Sequence, residues 1–340
     1  MSDLSKKKRK KVSYARYGYW FVAPFVIGYI LFSLYPLFNT FYYSTFEYVT
    51  RNRRTVVEFS GLTNYLNILG ITEGEKANFL IYLGNTIRIW IFNFIPQILL
   101  SLLVAAWLTD NRYRLKRTGT YKVLVYMPNI ITAASISILF CSLLSKYGPI
   151  MSQLRDLGWI SDGTDIMLSK WGTGISISMI LFWMWYGNTT LLLISGMIGI
   201  NPSLYEAADL DGATGRQKFF HVTLPLLKPV MLYVLITSVI GGLQLYDIPA
   251  LFNTGQGQAL MGGPDDTSTT VTMYIMRLHN TDLGRASAVS VLLFIITLAV
   301  SLVFFFAMSD KSEERRLEAK RRRREKRYQE RLLQEKGGEC

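Results

Sequence analysis

Cysteine and histidine are almost absent from this chain, with two of each in 340 residues. So few cysteines exclude a disulfide framework. Cys141 sits inside an apolar run and reads as a small buried hydrophobe, and Cys340 reads as a tail thiol. His221 and His279 have no closely spaced cysteine or histidine beside them, so no metal site is expected. Charge is scarce too, at 18% of residues against 50% hydrophobic and 14% aromatic. That balance is too apolar for a soluble domain of this length and points to a membrane protein. A phosphate-binding G-x-x-x-x-G-K-[ST] loop is missing. "GATGRQKF" (Gly212 to Phe219) has the wrong spacing, so the chain is not expected to hydrolyse ATP itself.

What the sequence has is long uncharged runs. Six are long enough to cross roughly 30 Å of hydrocarbon. They lie near Tyr19 to Tyr43, Ile87 to Leu108, Val123 to Leu144, Ile175 to Ile198, Met231 to Leu251 and Ala286 to Met308. The expected fold class is an all-α membrane protein of six transmembrane helices. An even count puts both ends of the chain on one side.

The net charge of +13 gathers at the ends of these runs. "KKKRKK" (Lys6 to Lys11), the loop "DNRYRLKRTG" (Asp110 to Gly119), the segment after the fourth run and "KRRRREKR" (Lys320 to Arg327) alternate onto one face. Basic residues beside spans mark the cytoplasmic side and meet anionic lipid there, so membrane lipid rather than nucleic acid accounts for them. Both termini are therefore expected in the cytoplasm. Glu47 and Glu58 flank the exceptions, Arg51, Arg53 and Arg54, in the first outer loop. The basic start is followed by a run of full spanning length with no small-residue cleavage site, so it reads as a tail and not as a signal peptide. The expected organisation is a basic tail over 1–18, a transmembrane domain over 19–309 and a charged cytoplasmic tail over 310–340. In that last tail acid and base alternate at helical spacing, as on a solvated helix.

Between the fourth and fifth runs stands a polar segment, "NPSLYEAADLDGATGRQKFFHVTLPLLKPV". Asn201 or Ser203 is placed to cap a helix, Pro202 suits its first turn, and Glu206 is placed as a capping-box partner of Ser203. Gly212 can reverse the chain where a residue with Cβ is strained, and a second helical stretch runs into Pro225. The segment over 200–230 thus reads as a helix-turn-helix hairpin, small-sided through Ala207, Ala208 and Ala213.

The spacing Glu206-Ala207-Ala208, Asp211-Gly212-Ala213, Val222 and Leu224-Pro225 resembles the EAA motif of the membrane subunits of binding-protein-dependent ABC importers. Val222 departs from the family's usual isoleucine. The resemblance extends along most of the chain to the carbohydrate, MalF-like branch. "APFVIGYILFSLYPLFNTFYYSTFEY", "FSGLTNYLNIL", "GNTIRI" (Gly84 to Ile89) and "YDIPALFNTGQGQALMGGPDDTSTTVTMYIM" are similar to stretches of that branch, with Tyr246 for Phe and extra residues around "NTGQGQALM" as departures. The resemblance implies the type I importer permease fold and a sugar, in particular an oligosaccharide, as cargo. It implies that Glu206, Ala207, Ala208, Asp211, Gly212, Ala213, Val222, Leu224 and Pro225 form a coupling hairpin seated in a cytoplasmic ATPase. It further implies a heterodimer with a second, homologous permease subunit, two ATPase subunits that hold ATP and Mg, an extracytoplasmic solute-binding protein, and a place in the bacterial cell membrane.

Polar groups within spans are the candidates for a solute path, because they are costly unless they face protein or water. Asn93 and Gln97 share a face of the second run and read as interhelical glue. Trp183, Trp185, Tyr186 and Asn188 lie on the fourth. Gly241, Gln244 and Asp247 share a face of the fifth, next to Tyr246. Aromatic faces with amide and carboxylate groups suit a neutral polyhydroxylated ligand. For Gln244 and Asp247, ligand contact and a structural bond are both open readings. Trp183, Tyr186, Asn188, Gln244, Tyr246 and Asp247 form the candidate path. A secondary transporter or channel working alone is the alternative, but the span interiors hold almost no ionisable relay groups beyond Asp247. A membrane enzyme lacks paired carboxylates, a nucleophile constellation and metal ligands.

Overall fold

The computed structural model describes residues 15–51, 54–110, 116–161, 163–255 and 262–308. The basic run Lys6 to Lys11, Arg112 and Arg114 in the second loop, Asp162, the extra residues 256–261 and the tail from 309 lie outside the described residues. The chain divides into two units, one comprising Met1–Ile81 with Thr272–Phe294 and the other Tyr82–Val271 with Ile295–Cys340.

Among the described residues, six helical stretches are long and apolar enough to cross a membrane: Tyr17–Tyr43, Asn78–Thr109, Ala133–Asp156, Trp171–Ile198, Lys228–Asn253 and Leu283–Ala307. The first has no buried residue, and Tyr19, Trp20, Phe21 and Phe32 are each more than three quarters exposed. In water such a surface would be strongly unfavourable at about 25 cal/mol per Å², whereas in hydrocarbon nothing is lost by leaving it bare.

Three departures from the sequence reading have physical causes. The first loop forms a ribbon, β1 (Phe46–Arg51) paired antiparallel with β2 (Arg54–Phe59), so the fold is helical with one short sheet added. Alternating Val, Thr, Tyr and Phe favour the pleat, and Phe46 and Phe59 pair across it with ring centroids 5.5 Å apart. The third run is interrupted: a helix over Thr118–Tyr126 gives way to a 3-10 turn over Met127–Ile130, and Thr132 caps a new helix from Ala133 to Leu144. Pro128 cannot donate to the preceding turn, and the Thr132 Oγ1 accepts from Ser135 N at 3.3 Å. The fifth span also breaks, with helices over Lys228–Leu243 and Asp247–Gly255. Gly241 and Gly242 weaken its last turn. The carbonyl of Leu245, in the gap, accepts a bond from the Thr270 hydroxyl at 2.7 Å.

That hydroxyl belongs to a loop bound to the start of the second span. Gly263, Asp265 and Asp266 all have positive φ there, at 73°, 52° and 58°. Two non-glycine residues in the left-handed region are held by their surroundings. The Asn85 amide donates to the carbonyls of Asp266 (2.9 Å) and Thr269 (3.3 Å), and the Tyr82 hydroxyl donates to the Asp266 carboxylate at 3.2 Å. Arg88 donates to the Thr267 carbonyl and lies over the Trp171 ring at 5.0 Å. Gly262 has no room for a side chain, since a Cβ there would stand 1.9 Å from Thr269 Oγ1. Ser268, Thr269 and Thr270 are fully buried. "GNTIRI" and "GGPDDTSTT" are therefore the two halves of one buried hydrogen-bonded clasp.

Apolar clusters stand among the described residues of the larger unit. One gathers Ile89, Ile136, Ile177, Ile180 and Phe252, and another gathers Ala105, Leu108, Leu193, Met197 and Leu227 beneath the polar segment. Replacing Asn85 by Leu takes its donor from the buried Thr269 carbonyl, at about 1–3 kcal/mol, and one of two donors from the Asp266 carbonyl, which keeps the Thr269 N–H at 3.1 Å. We expect Asn85→Leu to lower the melting temperature of the purified protein by several degrees, and an unchanged melting temperature would show that the clasp contributes nothing.

Candidate functional site: a cavity and a polar hairpin

The hairpin is built from local signals. Its first helix covers Pro202–Leu210, and the Asn201 side chain caps it by accepting from Ser203 N at 3.1 Å. Ser203 is thus inside the helix, and the expected Ser203–Glu206 capping box does not form. The capping box belongs to the second helix, Gly215–Lys218, between Thr214 and Gln217. Thr214 N donates to Gln217 Oε1 at 2.8 Å and Gln217 N donates to Thr214 Oγ1 at 3.4 Å.

Gly212 makes the reversal with φ of 73°. Its N–H bonds to the Asp209 carbonyl at 3.1 Å and the Ala213 N–H bonds to the Ala208 carbonyl at 2.9 Å. This pair is a Schellman ending, in which a left-handed residue lets the chain satisfy the last carbonyls of the helix. A Cβ on Gly212 would meet nothing within 4 Å, so backbone conformation rather than space selects glycine. The Lys218 ammonium joins the two helices by an ion pair to Asp209 at 2.6 Å. The Tyr205 hydroxyl ties the first helix to Thr223 at 2.9 Å, and the Tyr205 and Phe219 rings pack on the cluster around Leu227. Before Pro225 the backbone widens into a π turn over Phe219–Thr223. A proline clashes with the carbonyl four residues back, and the wider turn relieves that contact. Glu206, Ala207, Asp211, Gly212 and Pro225 are exposed, whereas Ala208, Ala213, Val222 and Leu224 are half-buried.

At the other ends of the fourth and fifth spans lies the broken turn of the fifth. A cavity of about 380 Å³ opens among the second, fourth and fifth spans. Of the six path residues, Asn188, Gln244, Tyr246 and Asp247 line it. Trp183 instead packs on Phe140 with centroids 5.9 Å apart, and the Tyr186 ring lies against Phe182, also at 5.9 Å. Trp185 lines the cavity. Gln97 has the bridging role expected of it, donating to Thr189 Oγ1 at 2.7 Å. Asn93 differs: its side chain makes no hydrogen bond among the described residues, and its Oδ1 is buried without a donor.

The cavity also holds residues that sequence reasoning passed over, above all Trp90, with Thr237 and Ser238. Trp90 stands three and seven residues before Asn93 and Gln97, so the helical period places it on their face and was the signal available. Among the lining residues Asp247 is the single carboxylate, and there is no Lys, Arg or His. An aromatic and hydroxyl-rich chamber without a cationic group can hold a neutral hydroxylated solute.

Helices solvated by lipid, a chamber at a broken span and a stiff exposed hairpin define a membrane component of a transport system. The chain belongs to the family of binding-protein-dependent transport system inner membrane components, whose model matches residues 67–315. It is 28% identical over 305 residues to the lactose transport system permease protein LacF of Rhizobium radiobacter, covering 90% of this chain and 97% of that one. It is 29% identical over 309 residues to the trehalose/maltose transport system permease protein MalF of Thermococcus litoralis, covering 89% and 97%. The fold matches a solved bacterial ABC transporter chain involved in importing the acidic polysaccharide alginate, with a TM-score of 0.67, 17% identity and coverage of 87% of this chain and 96% of that one.

Gly212 gives the sharpest test of the hairpin. A β-branched residue at positive φ is strained by about 1–3 kcal/mol, while asparagine tolerates that region. We expect Gly212→Val to abolish transport with the protein still present in the membrane, and Gly212→Asn to retain much of it. Glu206→Ala, away from the caps, should cause a smaller loss. Uptake measured beside a membrane-fraction blot checks this, and normal transport by Gly212→Val would reduce the hairpin to a connector.

Proposed function

We propose that this chain is the permease subunit of an ATP-driven importer that carries a neutral oligosaccharide across the bacterial cell membrane. The observation that carries the cargo reading is the cavity lining, with indole and phenol rings, amides, hydroxyls and one carboxylate, and no cationic side chain among the described residues. Sugar rings present C–H faces to aromatic groups and hydroxyls to amides, whereas an acidic or phosphorylated solute needs a cation that this lining does not offer. The names of the relatives support the same reading, since they are permeases for lactose, arabinooligosaccharides and trehalose/maltose.

The hairpin over 200–230 is the point of attachment for the ATPase. ATP and Mg are bound by that partner. One hairpin serves one ATPase subunit, so a symmetric pair of ATPases is engaged by this chain together with a second, homologous permease subunit. An extracytoplasmic binding protein delivers the sugar. A solved relative of the fold was crystallised in complex with an alginate pentasaccharide-bound periplasmic protein, which supports a delivery step of this kind. Closure of the ATPases pushes the hairpins and rocks the spans between inward-facing and outward-facing arrangements around the cavity. Both termini and the hairpin lie in the cytoplasm in this reading, which the basic flanks support.

The assembled transporter in proteoliposomes should accumulate labelled lactose, maltose or arabinotriose only with ATP, and this chain alone in lipid should move none. Sugar flux through the isolated chain without ATP would contradict the importer reading. With Cys141 and Cys340 replaced by serine, cysteine probes at Asp162 or Gln256 should react with an impermeant reagent from outside, and probes at Arg114 and Gly215 should not. Outside labelling of Gly215 would reverse the orientation.

A further inference from the structure

Span two carries two groups in the cavity that neither the coupling machinery nor the core uses. Trp90 is fixed on three sides. Its Nε1 donates to Ser238 Oγ at 3.0 Å, and its ring stacks on Phe94 at 5.4 Å with planes 11° apart. Its edge rests directly on the backbone of Gly242, where an added Cβ would stand 2.1 Å from Trp90 Cδ1. No residue but glycine can occupy position 242 without moving the indole. With one face on Phe94, the opposite face is what the ring offers to the chamber that it lines.

One turn on stands Asn93, 8% exposed and lining the same chamber. Its amide is bonded to nothing among the described residues, and Oδ1 is buried without a donor. A buried amide left unbonded is unfavourable unless something else completes it. Gln97, a further turn along the same face, shows the alternative, for its amide is spent on Thr189.

We propose that Trp90 and Asn93 form a sugar subsite on the second span, the indole stacking on the apolar face of a pyranose or furanose ring and the Asn93 amide bonding that ring's hydroxyls, with Gly242 as the positioning residue for the indole. This rests on the reading of the chain as a sugar permease and assigns specificity to a span whose other polar groups serve structure. A sugar hydroxyl can accept from the Asn93 Nδ2–H group, the end of the amide not shut off from the chamber, which a deoxygenated position cannot. The subsite therefore selects for a hydroxylated ring carbon beside the stacked face. Because delivery to the transporter is set by the external binding protein, the subsite governs the maximal rate and the ranking of sugars, and leaves the half-saturating concentration unchanged.

The test is ATP-driven uptake of labelled lactose, maltose and arabinotriose by the complete transporter in proteoliposomes, with melting temperature and assembly measured on the same preparations. Asn93→Leu keeps the size and removes the amide. It should lower the maximal rate about tenfold, the equivalent of one lost hydrogen bond, with the melting temperature unchanged or raised because an unbonded buried amide is gone. Trp90→Ala should lower the rate to a similar degree, Trp90→Phe should recover part of it, and Gly242→Ala should behave as Trp90→Ala by displacing the ring. Half-saturation should stay constant throughout while the order of preference among the three sugars changes. Wild-type rates and ranking in Asn93→Leu or Trp90→Ala would remove that residue from the subsite and overturn the proposal. Loss of assembly in Asn93→Leu would show the amide to be structural and would overturn it equally. If the unaltered transporter moves none of the three sugars, the sugar reading itself fails and the subsite falls with it.

Discussion

A helix broken inside a membrane is the constraint on which the rest of this structure depends. Hydrocarbon supplies no water, so backbone groups freed at a break must be bonded by the protein itself or open into an aqueous chamber. Here the break falls at Gln244 to Tyr246 in the fifth span, and it meets both conditions. The Leu245 carbonyl is bonded by the Thr270 hydroxyl, and Gln244, Tyr246 and Asp247 face the cavity. Thr270 belongs to a loop that is held, through Asn85, Tyr82 and Arg88, to the start of the second span. Removing the clasp therefore disturbs the chamber as well as the loop.

The opposite ends of the same spans bear the hairpin, and close packing connects the two regions. Gly196 on the fourth span leaves so little space that a Cβ would stand 2.8 Å from Leu227 and 2.9 Å from Val230 at the base of the fifth. Gly187, beside Asn188, faces the Val125 carbonyl with a similar lack of room, a Cβ there lying 2.1 Å away. Helices seated this closely move as units. The hairpin itself is stiffened by its Schellman ending, its capping box and the Lys218–Asp209 pair, so a push on it is not absorbed locally. Under the proposed function, the physical means of coupling is a rigid lever on packed spans, with the cavity at its far end.

Much of this was legible in sequence, because the strongest signals are those of a chain solvated by lipid. Uncharged runs gave the six spans, and Asn201, Pro202 and Gly212 gave the hairpin and its left-handed turn. Boundaries failed where a local choice depended on distant groups. The break at Gln244 is stabilised by Thr270, 25 residues on from Leu245, and periodicity within one segment holds no trace of that bond. Ser203 and Asn201 were equally good caps until the helix started at Pro202, and Thr214 with Gln217 was the overlooked box. In the cavity, Asn188 and Gln244 followed from their polarity. Trp183 and Tyr186 turn to Phe140 and Phe182 instead, because a tryptophan or tyrosine reads alike whether its ring meets solute or core. Trp90 was missed for the converse reason, since an indole in an apolar run looks like packing until Gly242 and Ser238 are seen beneath it.

The central claim is that one cavity is exposed in turn to the two sides of the membrane under the control of an ATPase at the hairpin. Thr237→Cys, on the cavity wall, reports this directly in the assembled transporter with Cys141 and Cys340 replaced. Without nucleotide, an impermeant thiol reagent should reach the new cysteine from the hairpin side of the membrane. With ATP trapped on a hydrolysis-deficient ATPase, it should reach it from the opposite side only. Reaction from one and the same side in both states would contradict the account.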